Sequence, residues 1–174
     1  MDFFLNTAMN KMTKTLSLAV AMFAITGMTG AFSSQAFAGE NGFEGCSPGF
    51  WKTDASKRDE AAWADTAFGP DELWEDFFDP VTLRVKSGTP SDPTLEEALN
   101  AKGSKINALA REAVAAILND SHPEIDYPLD FDAIQDLVNA AVSDGSNIAI
   151  ENAREALFPL NHFGETVICP LTVG

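Results

Sequence analysis

Apolar residues recur at steps of three and four through most of the second half of the chain. Ile106, Leu109, Ala110, Ala113, Val114, Ile117 and Leu118 fall on one face of a helix spanning Ser104 to Asn119, with Ser104 placed to cap it and Pro123 beyond its end. Phe131, Ile134, Leu137, Val138, Ala141 and Val142 repeat the pattern from about Asp130 to Ser143, where Asp144-Gly145 breaks it. Ile150, Ala153, Ala156 and Leu157 mark a last helix from about Asn147 to Leu157. Each apolar stripe needs a partner, and three such helices can cover one another as a small bundle.

The stretch before these helices is less regular. Ala61, Ala62, Trp63 and Phe68 form a weak helical segment. Pro70-Asp71-Glu72 suits a helix start, with Leu73, Trp74, Phe77 and Phe78 as its apolar face and Pro80 as its stop. Val81, Leu83 and Val85 alternate as in a short strand inside a Gly- and Pro-containing loop over 81–93. Thr94-Leu95-Glu96-Glu97 reads as a capping box, with Gly103 as the stop. A turn over Asn161–Gly164 and a strip over Glu165–Cys169 close the pattern. The expected fold class is mainly all-α: a small single-domain helical bundle with an irregular N-terminal segment.

The first 38 residues stand apart. Lys11 and Lys14 precede an uncharged run from Leu16 to Phe32, and Ala36-Phe37-Ala38 supplies small residues where a signal peptidase cuts. Residues 1–38 are therefore read as a cleaved signal peptide, with Met1, Met9 or Met12 as the start, and 39–174 as one exported domain. The apolar run falls slightly short of the ~20 residues a bilayer span needs, and no second span follows, so no membrane attachment is expected after cleavage. The expected location is extracellular, with the periplasm as the alternative compartment.

Composition sharpens the partner classes. The chain carries 26 Asp and Glu against 11 Lys and Arg, a formal charge of −15. That argues against nucleic acid and anionic membrane, which both require basic patches. Two cysteines, Cys46 and Cys169, in an exported chain imply one disulfide joining its ends.

Candidate chemistry is sparse. Asp120, Glu124, Asp126, Asp130 and Asp132 crowd around one helix connection and are the candidate ligands for calcium, the one cofactor considered. No EF-hand fits: with Gly145 at the loop glycine, Ala140 and Val142 fall at ligand positions. Asp130 and Asp132 have a simpler use as helix-start acids. The same acids are the alternative basis for a secreted hydrolase. His122 and His162 belong to no HExxH, and neither GxSxG nor a phosphate-cradling glycine loop occurs. The tryptophans Trp51, Trp63 and Trp74, with Phe50, Phe68, Phe77 and Phe78, are expected to build the core around the disulfide, stacking on sugar rings being the alternative.

Three motifs carry a family resemblance. Gly45-Cys46-Ser47-Pro48-Gly49-Phe50-Trp51-Lys52, the helix segment Arg111-Glu112-Ala113-Val114-Ala115-Ala116-Ile117-Leu118-Asn119, and Leu157 to Asn161 followed by Cys169-Pro170-Leu171 occur in this order. The chain resembles a group of secreted bacterial, archaeal and algal proteins with a Cys-(Thr/Ser)-Pro-Gly-(Tyr/Phe)-Trp-Lys signature and a C-terminal Cys-Pro-Leu. It departs from their pattern at Thr53-Asp54, where Asn-His is frequent, at Glu112, where His is usual, and at Ile168, where Gly is frequent. The resemblance implies export, the disulfide and surface or matrix association, and names no reaction. The functional expectation is a non-enzymatic structural, adhesive or matrix-associated module that contacts extracellular protein or polysaccharide, with oligomer formation compatible. Phe50, Trp51 and Lys52 are the candidate contact residues.

Overall fold

The computed structural model describes residues 44–55, 60–86, 88–90, 92–162 and 169–172, all within one compact unit. The leader over 1–38 and the strip over Glu165–Ile168 lie outside the described residues. Six helices appear among them: α1 (Pro48–Phe50), α2 (Glu60–Ala64), α3 (Leu95–Leu99), α4 (Ile106–Ser121), α5 (Phe131–Asp144) and α6 (Asn147–Asn161). The fold is all-α, and a disulfide between Cys46 and Cys169 joins its ends, with Cα atoms 5.0 Å apart.

Helix α4 is the axis of the molecule. It packs against α6, α3, α5 and α1, and every residue from Leu109 to Asn119 except Arg111 is buried. A helix that is apolar nearly all round has to be enclosed, and the small side chains of Ala110, Ala113, Ala115 and Ala116 allow neighbours to approach from several sides.

The ends of the long helices follow local chemistry. Asp130 caps α5 by accepting from Ala133 N–H at 2.9 Å, and Gly145 ends it in the left-handed region at φ 69°. Ser146 then caps α6 through Ala149 N–H. The predicted capping box is present: Thr94 Oγ1 accepts from Glu97 N–H at 3.1 Å, and the Glu97 carboxylate accepts from Thr94 N–H. Helix α4 starts differently from the expectation. Its N-cap is Lys105, without a side-chain cap and with φ 58°, and not Ser104. Positive φ strains a residue with a Cβ, and Arg111 steadies this loop by donating to the carbonyls of Ala101, Gly103 and Asn107.

Two other expectations change. The Pro70–Asp79 helix reduces to a single 3-10 turn at Trp74–Asp76. Leu73 is extended and pairs with Thr94: Trp74 N–H donates to Pro93 O and Leu95 N–H to Glu72 O, each at 2.8 Å. Those long-range bonds take the groups a helix would have used. Residues 81–85 form no ladder, yet Leu83 and Val85 are buried while Thr82 and Arg84 are exposed, so the alternation is one of burial alone.

The aromatic residues build the core of the N-terminal half. Trp51, Trp63, Trp74 and Phe78 are buried, and Phe68 packs on Phe77 and Phe131 with centroids 5.1 and 5.7 Å apart. The indole N–H groups find acceptors: Trp51 at Asn119, Trp63 at Phe68 O and Trp74 at Asp79 O.

Candidate functional site

The signature segment folds as a turn pressed against α4 and α6. Ser47 caps α1 by accepting from Phe50 N–H at 3.3 Å, and Pro48 occupies the first helical position, where its missing N–H costs nothing. A π-helical turn, Trp51–Ala55, follows directly. Trp51 points inward, fully buried, while Lys52 is exposed and Phe50 half-buried. Gly45 is required by close approach: a Cβ there would collide with the backbone carbonyl of Leu160.

Two asparagines sit beneath this turn. Asn119, from the last turns of α4, accepts on Oδ1 from Cys46 N–H and from the Trp51 indole, both at 2.9 Å. Its Nδ2 donates to Cys46 O at 3.0 Å and to Asn161 Oδ1 at 3.2 Å. Asn161, at the end of α6, also accepts from the Tyr127 hydroxyl at 2.8 Å and donates to the Glu112 carbonyl and carboxylate at 2.9 and 2.8 Å. Both side chains are fully buried, and each makes the two acceptor and two donor contacts an amide offers. The other Glu112 oxygen lies 3.5 Å from His162 Nε2, and His162 stacks on Phe158 with centroids 4.0 Å apart. The result is a continuous polar chain from the disulfide, through the core, to the end of α6. The fully satisfied pair of amides at its centre fixes one arrangement of the elements it joins.

The surroundings tune the ionisable members. Burial pushes the Tyr127 hydroxyl far above the ordinary phenol range, and the nearby Glu112 and Asp120 carboxylates add to the effect. The native state therefore favours the neutral phenol. The stability this confers is complete below the unfolded value of about pH 10 and is lost progressively above it. Tyr127 is the only tyrosine in the chain. Tyrosinate absorbance is expected to stay absent from the native protein past pH ~10 while the unfolded chain titrates there, and Tyr127→Phe is expected to remove a slope of about 1.4 kcal/mol per pH unit above that point. Ionisation of the native protein near pH 10 would contradict the network. Burial also lowers His122, against the opposing pull of Asp65 and Glu124. Its Nδ1 accepts from Glu124 N–H at 3.2 Å, and its ring lies 6.1 Å from that of Trp51.

The candidate contact residues are thus divided. The Trp51 ring belongs to the core and presents no face to a ligand. Lys52 lines an open groove of about 660 Å³ together with Val85, Lys86, Glu96, Asn100 and Lys102. The groove runs between α3 and the turn closed by the Val85–Gly88 pair.

The five acids considered for calcium do not converge. Among the described residues, no three His, Cys, Asp or Glu side chains gather to hold a metal ion. Asp130 is the α5 cap and Asp132 is exposed on the first turn of that helix. Asp120 is pushed upward by burial and then by Asp130, with a backbone bond from Phe131 pulling the other way. The Asp126 carbonyl holds Glu44 N–H at 3.2 Å. Of the five, Asp130 ends a helix with its carboxylate, while Asp126 and Glu124 steady the connection through backbone groups.

The residues that sequence reasoning missed are Asn119, Asn161, Glu112 and Tyr127, all of them polar groups turned inward. The available signal was in α4 itself, whose apolar positions run nearly all the way round, so polar side chains on it had to be enclosed. No described helix is long and apolar enough to cross a membrane. Compared with family models, curated proteins and solved structures, the chain matches none of them.

Proposed function

We propose that this chain is an exported, non-enzymatic module of extracellular material, which acts by contact with protein or polysaccharide. One observation carries the reading: the chemically capable groups under the signature turn are engaged with one another. Trp51, Asn119, Asn161, Tyr127 and Glu112 hold chain segments together in the interior, so they serve rigidity. Contact is left to the surface, where the groove opens beside Lys52. The disulfide suits an oxidising compartment, and the likeness of the three motifs to a secreted, matrix-associated group agrees with it.

The reading is tested by expressing the full chain in a secreting host and following it by mass and by fractionation with extracellular material. The expected product begins at Gly39, has both thiols blocked, and sediments with that material. An uncleaved, reduced protein that stays in the cell would overturn the proposal.

A further inference from the structure

We infer that His122 makes the connection between α4 and α5 sensitive to acid. On taking a proton from solvent, its imidazole lets go of the Glu124 backbone. Residues 122–126 then open, together with the Glu44 seam that they hold. This acid sensitivity goes beyond the contact-module reading and does not depend on it.

The pair His122-Pro123 follows α4 directly. A proline disfavours helical backbone in the residue before it, and His122 is accordingly extended, at φ −81° and ψ 125°, as the C-cap of the helix. The residue is only 4% exposed, beside the buried Trp51 ring. Its Nδ1 accepts from Glu124 N–H at 3.2 Å. A backbone N–H can only donate, so this bond exists only while Nδ1 carries no proton. An imidazolium has N–H on both ring nitrogens, and two donors would then face each other.

The bond on Nδ1 belongs to a short run of ties. Ile125 N–H donates to His122 O at 3.1 Å, and the Asp126 carbonyl accepts from Glu44 N–H at 3.2 Å, just before the signature. Of residues 123–126 only Ile125 is buried. Opening the segment therefore uncovers little apolar area, the condition for local rather than global unfolding.

Three influences favour the charged ring: the Asp65 carboxylate just past α2, the Glu124 carboxylate in the connection, and the C-terminal end of α4. Asp65 and Glu124 are exposed, where water and salt screen them. Burial outweighs them and holds His122 below the ordinary imidazole value. The closed connection thus has its full stability above about pH 6.5. It loses stability as the pH falls below that value, because the opened form takes the proton first.

The test is amide hydrogen exchange of the intact, oxidised protein at pH ~7.5 and ~5.5, each rate divided by its intrinsic value. Protection of Glu124 N–H and Glu44 N–H is expected to fall by up to about tenfold at the lower pH, the limit for one proton over this range. The α4 amides should remain far better protected at both pH values. His122→Asn offers an amide oxygen as acceptor in place of Nδ1 and takes no proton, so its protection at these two amides should be equal at both pH values. His162→Gln removes the other histidine of the chain and should keep the response. Each comparison is made within one variant, so a general loss of stability does not enter. The wild-type ring signals give a reading that needs no variant: His122 should be mostly neutral at pH ~6.5, where an unperturbed imidazole is half charged. A His122 ring half charged or more at that pH overturns the inference. So does a fall in protection below about twofold, or one that persists in His122→Asn or vanishes in His162→Gln. Glu124 protection equal to that of α4 would mean that only the whole fold opens, which also overturns it.

Discussion

Replacing Cys46 and Cys169 together by serine is expected to lower stability by about 4–5 kcal/mol and Tm by ~10–20 °C. The two cysteines are 123 positions apart, so their bond closes nearly the whole described domain. A loop that long removes more freedom from the unfolded chain than a short one does. Both residues are buried in the native state, Cys46 completely, so serine also places a hydroxyl where a sulfur was packed. Thermal unfolding with and without reductant is the check. The reduced wild type should melt close to the double-serine variant. A difference from oxidised wild type below about 1 kcal/mol would contradict this and would mean that the reduced unfolded chain already keeps its ends close.

Asn119→Ala is the second large effect, with an expected cost of about 4 kcal/mol. The substitution removes four hydrogen bonds at once. It leaves the Cys46 N–H, the Cys46 carbonyl and the Trp51 indole N–H buried without their partner, and each such group costs about 1–3 kcal/mol. Water entering the space would recover part of that sum. Urea unfolding should show a lower midpoint with the slope unchanged, since the extent of the folded core is preserved. Because Asn119 donates to Asn161, the pair should also be non-additive: the double variant should cost less than the two single variants combined, by more than about 0.5 kcal/mol. Additive effects would show that the two amides act separately.

The reach of the sequence can be followed residue by residue. Helices α4, α5 and α6 were legible from their period, and at α5 the caps agreed with it: Asp130 and Gly145 stand where start and stop signals belong, whereas α4 starts at Lys105 and not at the expected Ser104. Thr94 and Glu97 were legible for the same reason. The disulfide followed from cysteine number and compartment. What was not legible depended on distant partners. Leu73 and Trp74 have helical spacing, but the 93–95 segment captured their backbone, and no local pattern announces that pairing. The last turn of α6 runs past Pro159 to Asn161, where the sequence suggested a stop near Leu157. Four hydrogen bonds on Asn161, three of them buried, hold that turn against the cost of the proline.

The candidate site was read less well than the fold, for a related reason. An asparagine on a helix is usually solvent-facing, so Asn119 and Asn161 gave no hint in isolation. Their burial follows only when α4 is seen to be enclosed by its neighbours. The acids over 120–132 drew attention through density along the chain, whereas coordination depends on convergence in space. Trp51 and Lys52 are adjacent in sequence and opposite in role: the Trp51 indole is held in the core by Asn119, while Lys52 lines the groove.

The central claim is that the signature turn is a closed structural clasp, with the Trp51 indole locked onto Asn119. Hydrogen exchange of the Trp51 indole N–H in the oxidised protein tests it most directly. The account predicts exchange only through global unfolding, with a protection free energy equal to that from urea denaturation. Exchange as fast as that of an exposed indole, under conditions where the α4 amides stay protected, would contradict it.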